Sequence, residues 1–573
     1  MAVKPLSLKR QRPNQIPKAG RSEYVAEVIV YDLAFHLPET FSYGVPKGLE
    51  DRVKPGSFVQ IPFRNNVHDG LIVSIKRNDD APLKPILKVS DLGISSEMIS
   101  FSRAVAERYI CRTSDILKNI QLSKYFNDSE IRRERESISL HIGGHELIIE
   151  HLQNVGRDGS LLIILPTRRE LESVERELLS RNIPVALLLK ATSKRSEIGI
   201  YLGLRSSVLT QLPSLKAIWV VDEGSEHYWE RRAPYWNVRD LVLLRSQFQK
   251  FQLKFICVSP SLELYRLGEL GYVKEVSNRS SKTKRQKVRF NDETYHQIIR
   301  DGLKSGPVLV CVAAKEYARS LACSKCGTVP RCECGGKLHL KSAQLPICSL
   351  CGASSDWRCP DCSNSKYVLL SKGASRIGEE FRKAFPNIRI FVSTLEKPVD
   401  HISGKAIVIA TAGMEPDGVF SSAVFMDAQY LQNLPELRSE EKLRRYVFSI
   451  LSKLKESTPI YLDLSPMNRL SRAVTMGNAS LGLNEELNER RQAKLPPFWR
   501  IFRIQADSIS RILNNLSKDI NEVEIFYEND RTAILRVAVD KGALLAESLY
   551  LLQKYRSISR KPLMAIEVDP FNL

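Results

Sequence analysis

No stretch of this 573-residue sequence approaches the ~20 consecutive apolar residues that a membrane-crossing helix needs, and runs such as 161–165 and 217–221 have only the length of buried strands. A membrane partner is therefore not expected. The first 22 residues lack the apolar stretch of a secretory signal, so export is not expected either. They also lack acid altogether: Lys4, Lys9, Arg10, Arg12, Lys18 and Arg21 alternate with Pro5, Pro13 and Pro17, the composition of a disordered basic arm. No G-x-x-x-x-G-K-[ST] occurs, so the loop that cradles nucleotide phosphates in P-loop enzymes is missing. No internal repeat of fixed period is evident. Acidic residues are too few to balance the basic ones, 65 against 85, leaving a formal charge of +20. An excess of that size points to a polyanion, with nucleic acid as the first candidate and a merely basic surface as the alternative.

What is present is ordinary globular composition, 43% hydrophobic and 26% charged, over a length that calls for roughly three to five domains. The strongest local signal lies between Cys323 and Cys362, which hold eight of the eleven cysteines. They fall as Cys323-x-x-Cys326, Cys332-x-Cys334, Cys348-x-x-Cys351 and Cys359-x-x-Cys362. Two CxxC turns complete one tetrahedral Zn²⁺ site, so eight thiols in four pairs predict two closed, structural Zn²⁺ ions per chain. Disulfides and iron–sulfur ligation are the competing readings, disfavoured where no export signal is seen. Cys332-x-Cys334 is a residue short of the usual turn, with His339 nearby as a substitute ligand or a surface histidine. Cys111, Cys257 and Cys311 sit in apolar surroundings and read as buried free thiols. The compartment expected is a reducing one, the cytoplasm.

Along the chain, β-rich runs at 24–31, 40–45, 57–62 and 70–75, broken by Pro46, Gly48, Pro55 and Gly56, predict a small barrel or sandwich. Residues 99–122 show helical apolar spacing through Val105, Ile110 and Ile116. From about 140 to 276, and again from 308 to 463, strands alternate with helices, which argues for two parallel sheets covered by helices. The cysteine segment interrupts the second of these, a basic polar stretch (274–289) joins the two, and the last region (502–573) reads as α+β. Within the first alternating region, residues 227–236 pack His227, Tyr228, Trp229, Tyr235 and Trp236 beside Arg231, Arg232 and Arg239. Such a segment can stack bases and neutralise phosphates, or it can be an apolar anchor between lobes.

This arrangement resembles the PriA (primosomal protein N-prime) family of replication-restart proteins from about residue 23 to the end. The segments that carry the resemblance are Phe41-Ser42-Tyr43-Gly44-Val45-Pro46, Lys54-Pro55-Gly56, Ile61-Pro62-Phe63, Leu83-Lys84-Pro85-Ile86, Gly203-x-Arg205-Ser206, Val221-Asp222-Glu223, Ser259-Pro260-Ser261 and the cysteine segment. Gly373-x-x-Arg376, Met426-Asp427, Arg438-Ser439-Glu440 and Glu489-Arg490 through Pro496-Pro497-Phe498 extend it into the C-terminal region. The implied architecture is multidomain α/β: a disordered basic arm (1–22), a DNA 3′-end-binding-like β domain (23–95) and a helical connector in place of a winged helix (96–138). Then come helicase-like lobe 1 (139–278), a basic linker (279–294), helicase-like lobe 2 (295–320 and 366–485), a two-zinc insertion (321–365) and an α+β C-terminal domain (486–573).

By the same resemblance Phe41, Tyr43 and Lys84 would hold a DNA 3′ end, although Ser42 and Arg64 stand where the family has aspartate and glycine; Phe41 and Tyr43 also fit a barrel core. Tyr228, Trp229, Arg231, Arg232, Tyr235 and Trp236 would form the loop that meets single-stranded DNA. Cys323, Cys326, Cys359 and Cys362 would share one zinc, and Cys332, Cys334, Cys348 and Cys351 the other. The nucleotide site departs from the family. Residues 143–150 carry no lysine and bring Glu146 and Glu150 instead; Asp222 and Glu223 remain of an acidic motif that continues Gly224-Ser225; the arginines expected of the second lobe fall near 450–455 and are absent. No catalytic residue is assigned, ATP and Mg²⁺ are doubtful cofactors, and no useful ATPase is expected, as in the actinobacterial branch of the family. The implied role is binding branched or forked DNA together with primosome proteins, the replicative helicase or its loader, and single-stranded-DNA-binding protein. A 3′-to-5′ helicase with a divergent ATP site and a zinc-ribbon RNA or transcription factor are the alternatives.

Overall fold

The computed structural model describes residues 19–78, 82–123, 138–152, 159–189, 198–276, 286–290, 294–313, 321–328, 338–340, 345–348, 353–354, 356–369, 374–434, 436–455, 457–514 and 522–572. The basic arm (1–18), most of the predicted linker and three of the four inner cysteines lie outside these residues.

Alternating apolar residues build an N-terminal antiparallel sheet of five strands, ordered Thr40–Gly44, Tyr24–Val30, Asn66–Arg77, Ser57–Phe63, Lys88–Gly93. Its inner face holds Ala26, Val28, Val59, Ile61 and Ile72. The fifth strand, Lys88–Gly93, carries too few apolar residues to be read from its pattern; pairing with Ser57–Phe63 makes it. Ser95 then caps the helix Ser96–Tyr109, accepting from the Met98 amide. That helix is a hub: Ile99, Phe101, Val105 and Tyr109 join Ile29 of the β domain, Val220 and Trp229 of the first lobe and Phe571 of the C-terminal domain in one continuous core.

The two lobes are parallel sheets, as alternation predicts. Lobe 1 has seven strands in the order Lys274–Val276, Ile138–Ile142, Gln252–Cys257, Leu215–Val221, Ser160–Ile164, Ile200–Gly203, Val185–Leu187. Lobe 2 has six: Lys287–Arg289, Pro459–Leu462, Ser422–Phe425, Val308–Val312, Ala406–Thr411, Arg389–Ser393. Their central strands are apolar on both faces, the signature of a sheet covered on each side.

Three boundaries differ from the sequence reading, each because hydrogen bonding overrides composition. Residues 287–289 belong to an edge strand of lobe 2 rather than to a linker. Tyr367–Leu369 pairs with Leu321–Cys323 and closes the cysteine module beyond residue 365. The helix Leu483–Gln492 runs through the expected border at 485, and the last domain is the antiparallel sheet Glu524–Asn529, Thr532–Ala538, Trp499–Gln505, Ala565–Val568, covered by the helix Gly542–Ile558. No helix among the described residues is long and apolar enough to cross a membrane. Cys257 and Cys311 are buried free thiols and Cys111 is half-buried; burial pushes all three thiols up.

Candidate nucleotide cleft, cysteine centre and DNA-facing residues

Strand Ile138–Ile142 runs directly into Gly143, Gly144, His145 and the helix Glu146–Leu152, the layout of a phosphate loop without its chemistry. The Gly144 amide donates to Glu146 Oε1 at 3.0 Å, so the loop's own carboxylate takes the amide that would face a phosphate. A Cβ on Gly144 would lie 2.6 Å from Glu146 Oε2, showing how closely the acid folds over the loop. Beyond it opens a cleft of about 730 Å³ whose charged lining is Glu146, Glu150, Glu177 and Asp417 with Arg176 and Arg181. An anion entering there meets four carboxylates and two arginines, each arginine already paired, Arg176 with Asp417 and Arg181 with Glu177.

The acidic remnant is divided. Asp222 follows strand Leu215–Val221 with a positive φ of 50° and faces Arg445 of lobe 2 at 3.7 Å. Glu223 turns inward instead, accepting from the Ser261 amide at 2.8 Å and the Ser261 hydroxyl at 3.0 Å; its burial pushes its carboxyl up. Glu170, from the helix Arg168–Ser180, is raised to about 7 by burial and by Asp222. His145 is pulled down by burial and by Lys453, which the second lobe contributes. The residues present do not fit a nucleotide triphosphate: the lobe-2 cations Arg445 and Lys453 face lobe-1 carboxylates and a half-buried histidine.

The lobes are closed on each other by the protein's own charges. Arg169 of lobe 1 donates to the Val399, Gly413 and Glu415 carbonyls at 3.1, 3.3 and 3.0 Å, and Arg176 meets Asp417 at 3.1 Å. Deeper in, Arg438 of lobe 2 grips Glu263 of lobe 1 with both amino groups, Arg239 adds a contact to Glu263 at 3.1 Å, and the Leu262 amide donates to Glu441 at 3.1 Å. Arg490 continues the chain to Glu441 at 3.0 Å. Arg438, Arg239 and Arg490 are all buried, and Arg438 together with Arg239 holds the Glu263 carboxyl well below the usual range against its burial.

The aromatic segment is part of this junction, which corrects the expectation of a base-stacking surface. Tyr228 is fully buried and donates to the Val221 or Ile164 carbonyl (2.6 and 2.9 Å). Trp229 is buried against Phe571 at 4.9 Å, with its indole donating to the Asp569 carbonyl at 3.2 Å and the Arg438 and Arg239 guanidinia 5.6 and 5.7 Å from its ring. Trp236 is buried, and Tyr235 half-buried. Apolar area this large is worth more packed between three domains than exposed, so the rings anchor rather than stack. Arg231 and Arg232 project from the turn, Arg232 with 88% of its side chain exposed.

In the β domain, Tyr43 is buried, its phenol raised to about 12 by burial and 3.4 Å from the Pro62 carbonyl. Alternation places Tyr43 on the core face, which favours its barrel-core reading over contact with a DNA end. Phe41 is half-buried against Phe63 at 5.0 Å, and Ser42 faces away to Glu27 at 2.9 Å. Lys84 is exposed, and its carbonyl accepts from the Gly44 amide at 2.9 Å, so it lies beside the same strand.

The outer cysteines form a built centre. Cys323, Cys326, Cys359 and Cys362 place their Sγ atoms within 4.8 Å of one another, with Cys323–Cys362, Cys326–Cys359 and Cys326–Cys362 each at 3.5 Å. Four thiolates at ~2.3 Å from one Zn²⁺ would stand ~3.8 Å apart, so the set fits a single tetrahedral ion. The two turns repeat one geometry. Gly327 and Ser363 donate to the Cys323 and Cys359 carbonyls at 3.0 and 2.9 Å, both in the left-handed region (φ 76° and 55°), while the Cys323 and Cys359 amides return to Thr328 and Asn364. Burial raises the Cys323 thiol, but the Cys326 and Lys325 amides and Asn364 outweigh it and bring it to about 6. Of the inner four, Cys332, Cys334 and Cys351 lie outside the described residues; Cys348 is in a short strand opposite Leu338, with His339 in the adjoining register position.

What these parts define is a two-lobed α/β architecture, each lobe built on a parallel sheet, with a small antiparallel β domain in front and a cysteine centre inserted in the second lobe. Comparison with known proteins agrees. Residues 27–121 match the family described as 3'DNA-binding domain (3'BD) of PriA. The "Probable replication restart protein PriA" of Mycobacterium bovis is 24% identical over 490 residues, 71% of this chain and 74% of that protein. The "Replication restart protein PriA" of Rickettsia conorii is 21% identical over 80% of this chain and 83% of its own length. Among solved structures, yeast Dbp5 bound to RNA and ADP BeF3 aligns at a TM-score of 0.34 and 10% identity over 70% of this chain and 97% of its own, too slight a likeness to carry an argument. The chain is thus similar to the replication restart proteins PriA over most of its length, and the stretch that matches the 3′ DNA-binding domain is its β domain with the helix that follows.

Proposed function

We propose that this protein is a replication-restart factor that binds stalled or branched forks and helps reload the replicative helicase away from the origin without hydrolysing ATP. The observation that carries this reading is the cleft itself: the Gly144 amide is taken by Glu146, and the cations facing Asp222, Glu170 and His145 come from the opposite lobe. Phosphoryl transfer depends on cations positioned on the γ-phosphate, and among the described residues Arg445, Arg176 and Arg181 are each paired with a carboxylate of the protein itself. The N-terminal β domain, with Lys84 exposed, and the projecting Arg231 and Arg232 supply the DNA contacts, as phosphate contacts rather than base readout. Two Zn²⁺ ions, one on the outer and one on the inner cysteines, support a rigid platform on lobe 2 for primosome proteins, the replicative helicase or its loader, and single-stranded-DNA-binding protein. The protein acts in the cytoplasm, at the nucleoid.

The test is ATP hydrolysis by the zinc-loaded chain on forked DNA with a single-stranded gap, beside Asp222→Asn, with fork binding followed by fluorescence anisotropy. Salt-sensitive binding without turnover is expected. DNA-stimulated turnover lost in Asp222→Asn would replace this reading with a 3′-to-5′ helicase whose ATP site is rebuilt from other residues.

A further inference from the structure

The last helix, Gly542–Ile558, buries one side completely: Leu545 and Leu549 are 0% exposed beneath the C-terminal sheet. Its other side is apolar as well. Leu544, Leu551, Tyr555 and Ile558 are 48, 57, 63 and 64% exposed, and Leu563, just past the helix, is 48% exposed. Their spacings of seven, four and three residues bring them onto one ridge about 20 Å long, at 1.5 Å per residue. Surface leucines scattered singly need no explanation, but four in register along one exposed helix face mark an interaction surface.

The surroundings say what covers it. Lys541 and Lys554 flank the ridge, and Arg560 and Lys561 stand at its end; none of the four has a salt-bridge partner among the described residues, and the acids nearby are Asp540 and Glu547, two against four. A second copy of this chain would bring these cations against one another, and a phosphate backbone would gain nothing from the apolar ridge. We infer that the ridge is the docking site for an amphipathic helix of a different protein, one whose apolar stripe is flanked by acidic residues. Leu544, Leu551, Tyr555 and Ile558 form the interdigitating seam, and Lys541, Lys554, Arg560 and Lys561 choose the partner by charge. The assignment rests on this face alone and is independent of the fate of the nucleotide cleft.

The probe is a fluorescein-labelled helical peptide with leucines at the matching spacing and glutamates on its flanks, titrated with the full chain beside an otherwise identical peptide with lysine flanks. The glutamate peptide is expected to bind in a salt-weakened manner and the lysine peptide about tenfold or more weaker. Leu551→Glu with Ile558→Glu should lower affinity by about tenfold or more at unchanged thermal midpoint, since both side chains are already in water. Lys541→Glu with Lys561→Glu, which leaves the ridge intact, should reverse the flank preference. Equal binding of the two peptides, binding unaffected by either variant, a wild-type dimer that Leu551→Glu dissociates, or competition by anionic phospholipid vesicles stronger than by unlabelled peptide would each overturn the assignment.

Discussion

Tyr228 has a single phenolic proton and two buried carbonyls in reach, those of Val221 and Ile164. Tyr228→Phe leaves the ring in place and strands those acceptors, so urea denaturation should show a loss of about 1 kcal/mol. Arg231 and Arg232, on the same turn, should behave oppositely: their joint replacement by alanine leaves the denaturation midpoint within error and lowers fork affinity, with a shallower dependence on salt. Glu170 makes a prediction in pH. Its carboxyl titrates near 7 in the folded chain and near the ordinary ~4.3 when unfolded, so the folded state holds the proton more tightly. Stability from this group is therefore full below about pH 4 and declines as pH rises through 7. Glu170→Gln should raise the thermal midpoint at pH 8, by about 2 °C or more for a gain on the order of 1 kcal/mol or above, and change it little below pH 4.

The elements are held by charges in places where their loss is not neutral. Arg438 reaches across the lobes to Glu263 from a position with 3% of its side chain exposed, and Glu263 is itself mostly covered. Arg438→Ala would leave Glu263 to Arg239 alone and should cost about 3–5 kcal/mol, measured as a reduced denaturant midpoint. Replacing Arg438 and Glu263 together by methionine and leucine should recover much of that, because a well-packed apolar pair avoids the desolvation that the ion pair suffers. The cysteine module behaves as an element of its own, closed by the pairing of Leu321–Cys323 with Tyr367–Leu369 and by a small core of Leu321, Leu340 and Trp357. Elemental analysis of the purified chain should find two zinc ions per molecule, and Cys359→Ser should remove one of them. Chelation should release the module to proteolysis while both lobes keep their thermal transition, since their cores share no residue with it.

At the scale of the whole molecule, one core runs from the β domain through the helix Ser96–Tyr109 to lobe 1 and the C-terminal domain, and buried ion pairs bind lobe 2 to it. A motor needs its lobes to separate and close with each nucleotide; these are joined by contacts that no nucleotide makes. The family resemblance, the parallel lobes, the insertion and the missing phosphate lysine were all legible in residue order, because periodicity, Cys spacing and a P-loop are local patterns. Two CxxC turns specify their ligands without help from the rest of the chain, and the pairing of Cys323 and Cys326 with Cys359 and Cys362 follows the resemblance. Tertiary structure alone decided which aromatics are surface and which are core. Tyr228, Trp229 and Trp236 read as a stacking loop until Phe571, more than three hundred residues later, packs against Trp229. Likewise, lysine loss could be seen in the sequence, but not that Glu146 bends back to the Gly144 amide, nor that Arg438 finds Glu263 across 175 residues of chain. Burial and long-range charge pairing depend on which surfaces meet, and a sequence records the surfaces without recording their meeting.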